Sequence, residues 1–148
     1  TIPEILERIK AAGKKAMVHI DLIAGLSAKE ISVEFIARQT RADGIITTKP
    51  ALVRRAKELG IFAVLRFFVI DSLALKNIEN LEMQCGTSRP DFIEVLPGVM
   101  PKVLGRIAKV SRIPMIAGGL ITEKEDVIAA LSAGAIAVSS TNQDVWNL

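Results

Sequence analysis

The 148 residues contain no tyrosine, one tryptophan, one histidine and one cysteine. A lone Cys85 rules out an internal disulfide framework and a multi-cysteine zinc cluster within one chain. A lone His19 leaves no multi-histidine metal centre, and no serine lies in a nucleophile-elbow context. No metal, cofactor or catalytic residue is therefore expected. No apolar run approaches the roughly 20 residues of a membrane span. No signal-peptide pattern is read, so the expected setting is the cytoplasm, with no membrane partner. An initiator methionine is missing too. Thr1-Ile2-Pro3-Glu4 reads as a helix start, whereas a βα repeat opens on a strand, so an upstream strand is expected outside this sequence.

Half of the residues are hydrophobic, with only 4% aromatic, so Ala, Ile, Val and Leu carry the packing. That composition suits parallel strands buried on both faces. The net charge of +3 is too mild to imply nucleic acid by itself. Short apolar runs at Ala16–Leu22, Gly44–Thr48, Ala63–Ile70, Phe92–Leu96, Pro114–Ala117 and Ala135–Ser139 read as strands. Helical patterns at Ala28–Arg38, Pro50–Leu59, Leu73–Gln84, Pro101–Val110 and Thr122–Ala133 lie between them. Ser27 with Glu30 and Thr122 with Glu125 form Ser/Thr-x-x-Glu boxes. Gly13, Gly60 and Gly134 each follow a helix, where a left-handed residue is cheapest as glycine. The frames around Gly60 and Gly134 look like one solution used twice.

The fold class expected is α/β, a single TIM-type (βα) barrel over 1–148, incomplete, with six parallel strands and the first strand missing. A doubly wound sheet is the competitor, but no G-x-G-x-x-G follows the early strands.

Ionisable residues recur near strand ends. His19 and Asp21 would share a face if the strand alternates through Leu22. Arg66 and Glu94 interrupt apolar strands, Lys49 follows Thr47-Thr48, and Asp71 closes the Arg66 strand. A charge in a buried strand is costly unless paired. Asp21, Asp71 and Glu94 facing Lys49 and Arg66 around one mouth explain the pattern; a salt-bridge network that merely closes the barrel explains it as well. His19 is more simply a hydrogen-bonded interior histidine. The run Pro114–Thr122 carries a strand into Gly118-Gly119 and then a capped helix. Ser139-Ser140 ends the neighbouring unit. Glycine lets a backbone approach an anion closely, and phosphate sites in the last βα loops are frequent in barrels. The plainer alternative for Gly118-Gly119 is a tight turn.

Five segments carry a resemblance that runs from about Met17 to Trp146: His19–Leu26, Asp43–Lys49, Ile70–Ser72, Asp91–Pro101 and Ile116–Ile121. Together they resemble the glycerol-3-phosphate-responsive antiterminators, regulators of glycerol uptake operons. The resemblance implies a barrel that senses glycerol 3-phosphate, or a similar small phosphorylated ligand, and acts on leader mRNA. It implies that Gly118, Gly119, Ser139 and Ser140 hold the phosphate, that Lys49 and Arg66 add positive charge, and that Asp21 and Glu94 accept from glycerol hydroxyls. Leu65–Val69 and Ser139–Asn142 depart modestly from the expected pattern. Lys102, Arg106 and Lys109 share a helix face and are the RNA-contacting candidates, although such stripes are usually solvated. Arg54, Arg55 and Lys57 form a second basic cluster. No aromatic platform for RNA bases is evident. The competing function is a phosphosugar aldolase or isomerase, with a Schiff base at Lys49 and Glu94 or Asp21 as base. A homo-oligomer is left open.

Overall fold

A computed structural model of the chain describes residues 1–23, 25, 29–81 and 89–148. Ser27, Cys85 and the end of the helix read to Gln84 lie outside the described residues. Close packing divides the chain into two compact units, Thr1–Leu65 and Arg66–Leu148.

The first unit opens with α1 (Ile2–Ala11), then β1 (Met17–His19) and a 3-10 turn at Ile20–Leu22. It continues through α2 (Glu30–Gln39), β2 (Gly44–Thr47) and α3 (Pro50–Glu58) into β3 (Phe62–Phe68). The strands are parallel, with Met17 opposite Gly44 and Gly44 opposite Phe62. A side chain on Gly44 would stand 2.3 Å from the Phe62 carbonyl oxygen, so only glycine admits this register. Ile45, Ala63 and Leu65 of the strands are buried, as are Leu52, Val53 and Ala56 of α3.

The second unit begins within β3 and adds α4 (Ser72–Glu79), β4 (Phe92–Leu96), α5 (Pro101–Val110), β5 (Met115–Gly118), α6 (Lys124–Ser132) and β6 (Ala137–Ser139). A 3-10 helix at Gln143–Asn147 follows. The strands β4, β5 and β6 are parallel, with Glu94 opposite Ile116 and Gly118 opposite Ser139. Strand order follows chain order, the pattern of successive βα units. Among the described residues, no helix is long and apolar enough to cross a membrane.

Local chemistry accounts for most boundaries. Pro50 and Pro101 occupy first-turn positions, where a missing amide hydrogen costs nothing. Gly60 and Gly134 have φ of 77° and 117°, and both close their helices the same way. Ile61 N donates to Ala56 O and Ala135 N to Ala130 O, each at 3.1 Å, a repeated six-residue cap. Three expectations need correction. The first strand stops at His19 because the chain turns into a 3-10 helix, so strand alternation cannot place His19 and Asp21 on one face. The last strand is shorter than Ala135–Ser139, because Ala135 is spent on closing α6. The cap of α6 is Glu123, not Thr122: the Asp126 carboxylate takes both the Thr122 and Glu123 amides at 3.1 Å.

Asp43 ties the start of the sheet in the first unit. Its carboxylate accepts from Lys10 Nζ at 2.8 Å and from the Ala16 amide at 2.7 Å. The Lys10 hydrogen bond and then the Ala16 amide hold its carboxyl below the ordinary 3.8. A depressed folded value means that this stabilisation is complete above the ordinary carboxylate range and is lost as pH falls through the folded value. Asp43→Asn is therefore expected to flatten the acid-destabilisation curve below about pH 4 relative to the parent. Denaturant melts across that range check this, and parallel curves would exclude Asp43 as a major acid-labile tie.

Candidate functional site

In the first unit, Asp21 lies just past the C-terminal end of β1, in the 3-10 turn. Its carboxylate accepts from Thr47 Oγ1 at 2.7 Å and from both the amide and hydroxyl of Thr48 at 2.8 Å. Burial pushes the Asp21 carboxyl up, but the Thr48 amide, the two threonine hydroxyls and the charge of His19 together outweigh it. The carboxyl ends below its ordinary value. Thr47, fully buried, relays the bond: it accepts from the Lys49 amide at 3.1 Å while donating to Asp21. Lys49 is solvent-exposed and forms the N-cap of α3. Asp21 thus organises the β2–α3 turn that presents Lys49, and the threonines that perform this were not singled out in the sequence.

The second unit gathers three of the expected residues, Arg66, Glu94 and Ser139, into one hydrogen-bonded cluster, with a fourth, Gly118, packed against it. Glu94 is only 3% exposed, in the middle of β4 between buried Ile93 and Val95. Its Oε2 accepts from Arg66 Nε at 3.0 Å and its Oε1 from Ser139 Oγ at 2.7 Å. Both carboxylate oxygens thus have a donor, one of them charged, which is what a buried carboxylate requires. Among the described residues Glu94 is the sole partner of the Arg66 guanidinium, through Nε. That bond holds the guanidinium in place through Nε. Gly118 lies beneath this cluster. A Cβ there would stand 2.4 Å from Glu94 Oε1 and 2.5 Å from Ser139 Oγ, so its glycine makes room for the Glu94–Ser139 bond.

The loop after β5 turns on two consecutive residues with positive φ, Gly119 at 82° and Leu120 at 62°. The left-handed region costs a leucine about 1–2 kcal/mol, and Leu120 is 70% exposed, with little burial to offset it. Gly98 N donates to Gly119 O at 3.0 Å. A side chain on Gly98 would meet the Gly118 nitrogen at 2.9 Å, so the Pro97-Gly98 turn packs directly on this loop.

Ser140 is occupied differently from Ser139. Its hydroxyl donates to Ile121 O at 2.6 Å and accepts from Asn142 N at 3.0 Å, joining the loop after β6 to the loop after β5. Its carbonyl accepts from Trp146 Nε1 at 2.8 Å. Asp71 does not enter this cluster. Its carboxylate takes the Ala74 amide at 2.9 Å and caps α4, since a carboxylate three residues past the strand end stands directly before the helix whose first turn it satisfies. On α5, Lys102, Arg106 and Lys109 are exposed, opposite buried Leu104 and Ile107. Arg106 lies 3.7 Å from Glu79. Arg55 of the second basic cluster is bound to Glu58 at 3.0 Å and Glu34 at 3.4 Å. Among the described residues, no three His, Cys, Asp or Glu side chains are grouped to hold a metal ion.

Comparison with known proteins follows the same lines. A family model described as glycerol-3-phosphate responsive antiterminator matches residues 1–146. The chain is 46% identical over 148 residues to an uncharacterized protein of Escherichia coli K12, YgcP, covering all of this chain and 76% of that one. The structure of a glycerol uptake operon antiterminator regulatory protein from Listeria monocytogenes superposes with a TM-score of 0.88 at 34% identity, over 98% of this chain and 77% of that one. A glycerol uptake operon antiterminator-related protein from Thermotoga maritima gives 0.80 at 38%, over 97% and 79%. Orotidine 5'-phosphate decarboxylase from Pyrococcus horikoshii gives 0.70 at 20% identity, over 97% of this chain and 72% of that one, a likeness of fold alone. The fold class is therefore α/β, an incomplete (βα) barrel. A match running from residue 1 to residue 146, with relatives above 30% identity, shows that this chain belongs to the glycerol-3-phosphate responsive antiterminator family.

Proposed function

We propose that the chain is a ligand-sensing antiterminator that binds glycerol 3-phosphate at the second unit's β5 and β6 loops and, when loaded, engages leader mRNA. The observation that carries this reading is the Arg66–Glu94–Ser139 cluster over Gly118. It sets a guanidinium and a carboxylate at fixed positions beside a glycine loop. That is the combination needed by a ligand with a dianionic phosphate at one end and hydroxyls at the other. In this reading the Gly118-Gly119 and Ser139-Ser140 segments hold the phosphate, Arg66 supplies charge and Glu94 accepts from a glycerol hydroxyl.

The regulator is not an enzyme in this reading. A Schiff-base lysine needs desolvation and a nearby base, whereas Lys49 is exposed and the Asp21 oxygens already take three hydrogen bonds from Thr47 and Thr48. The RNA contact is assigned to Lys102, Arg106 and Lys109 on α5, as an electrostatic interaction that weakens with salt.

Two measurements test the reading together. Calorimetric titration with sn-glycerol 3-phosphate should show binding that Gly119→Asp weakens at least about tenfold, since the new side chain adds like charge, strains a φ of 82° and crowds Leu96. Filter retention of an operon leader RNA should rise with ligand and fall with salt. Unchanged affinity in Gly119→Asp would remove that loop from the site, and retention independent of ligand would end the antiterminator reading.

A further inference from the structure

The loops after β5 and β6 share a device not assigned by composition or family. A trans peptide is planar, so its carbonyl and the following amide hydrogen point in opposite directions. Pinning the carbonyl therefore aims the amide. In the β5 loop, Gly98 N holds Gly119 O at 3.0 Å and so turns the Leu120 amide away from Gly98. In the β6 loop, Trp146 Nε1 holds Ser140 O at 2.8 Å and so turns the Thr141 amide away from the indole. The Ser140 hydroxyl cannot serve as a phosphate donor while its proton is committed to Ile121 O, 2.6 Å away. That same bond fixes the Ile121–Thr122 peptide, and here the opposite amide is accounted for: Thr122 N goes to Asp126 at 3.1 Å. The rule of opposed groups thus holds where both ends can be followed.

We infer that Trp146 is a positioning residue for the ligand phosphate: its indole N–H holds the Ser140 carbonyl so that the Thr141 amide, rather than the Ser140 hydroxyl, is presented to the anion. This rests on the glycerol 3-phosphate reading above and names the atoms through which that site works. Trp146 itself touches no ligand. It is 65% exposed, on the 3-10 helix Gln143–Asn147, which is further held by Asn142 Oδ1 accepting from Asp144 N at 3.0 Å. An exposed tryptophan whose N–H is directed at a loop carbonyl contributes chiefly through that bond, because little of its ring is packed.

The test uses Trp146→Phe, which keeps an aromatic ring and removes the N–H, beside Trp146→Ala. Calorimetric titrations with sn-glycerol 3-phosphate and, separately, with inorganic phosphate give the affinities, and denaturant melts give stability. The expected result is an affinity loss of about fivefold to tenfold for both anions in both variants, the scale of one hydrogen bond, with little change in the melts. Trp146 is the one tryptophan in the sequence, so its emission in the parent should also shift on titration with glycerol 3-phosphate. Full affinity in Trp146→Phe would overturn the inference while leaving the ligand reading intact. No binding of glycerol 3-phosphate by the parent would instead overturn the ligand reading, and the inference with it.

Discussion

Glu94→Ala should lower the unfolding free energy by about 3 kcal/mol, the lower end of the range for breaking a buried ion pair. The lower end applies because the Arg66 side chain is 19% exposed and regains some hydration when its partner is lost. The deleted carboxylate also strands the Ser139 hydroxyl and leaves a void in the middle of β4, between Ile93 and Val95. Glu94→Gln separates the contributions. An amide keeps the volume and one acceptor, for Ser139 or Arg66, but loses the charge, so it should recover the packing part of the loss and little of the ion-pair part. In the double variant Arg66→Met/Glu94→Leu, with no charge left to strand, stability should recover most of the way, as apolar replacements of buried pairs often do. Chemical denaturation of the four proteins decides the matter. If Glu94→Ala melted like the parent, the cluster would be an incidental contact and not the organiser of the second unit.

Gly118→Ala is expected to be nearly as severe, for a steric reason. The added methyl would sit 2.4 Å from Glu94 Oε1 and 2.5 Å from Ser139 Oγ. Those atoms end side chains, and such ends normally swing aside cheaply. Here they cannot, because the carboxylate is buried and bonded on both oxygens. Relief requires pushing Glu94 off Arg66 or lifting β5, at the usual overpacking cost of about 1–3 kcal/mol. Ligand binding should suffer as well as stability, since a displaced Glu94 releases the guanidinium it orients. A loss of glycerol 3-phosphate affinity of about tenfold or more is anticipated, corresponding to about 1.4 kcal/mol. Calorimetry on a variant shown to be folded reads this directly. Parent-like affinity would mean that Gly118 serves only the turn, the plainer of the two readings open from the sequence.

Much of the architecture was legible without coordinates because it depends on local chemistry. Pro50 and Pro101 mark helix starts by their missing amide hydrogen. Gly60 and Gly134 mark helix ends by tolerating positive φ. The span Phe92–Leu96 was read to the residue, since Pro97 and Gly98 end the strand abruptly. The first strand was read too long, because Ile20 and Leu22 continue the apolar alternation while the chain has already turned to deliver Asp21 to Thr48. A bond to a residue 27 positions away leaves no mark on local periodicity. The same limit explains Asp71, which reads as one more charge at a strand end and is a helix cap.

The sequence by itself determined the alternation of strand and helix, the polar residues at the strand ends and the family to which they belong. All of these follow from patterns within a few residues or from motif order along the chain. Only the tertiary structure decided the partners. It gave Arg66 and Ser139 to Glu94, Thr47 and Thr48 to Asp21, and the Ser140 carbonyl to Trp146. These bonds join residues separated by up to 45 positions, and parallel register, not local preference, brings such residues side by side. That is why the residue types were readable in advance and their pairing was not.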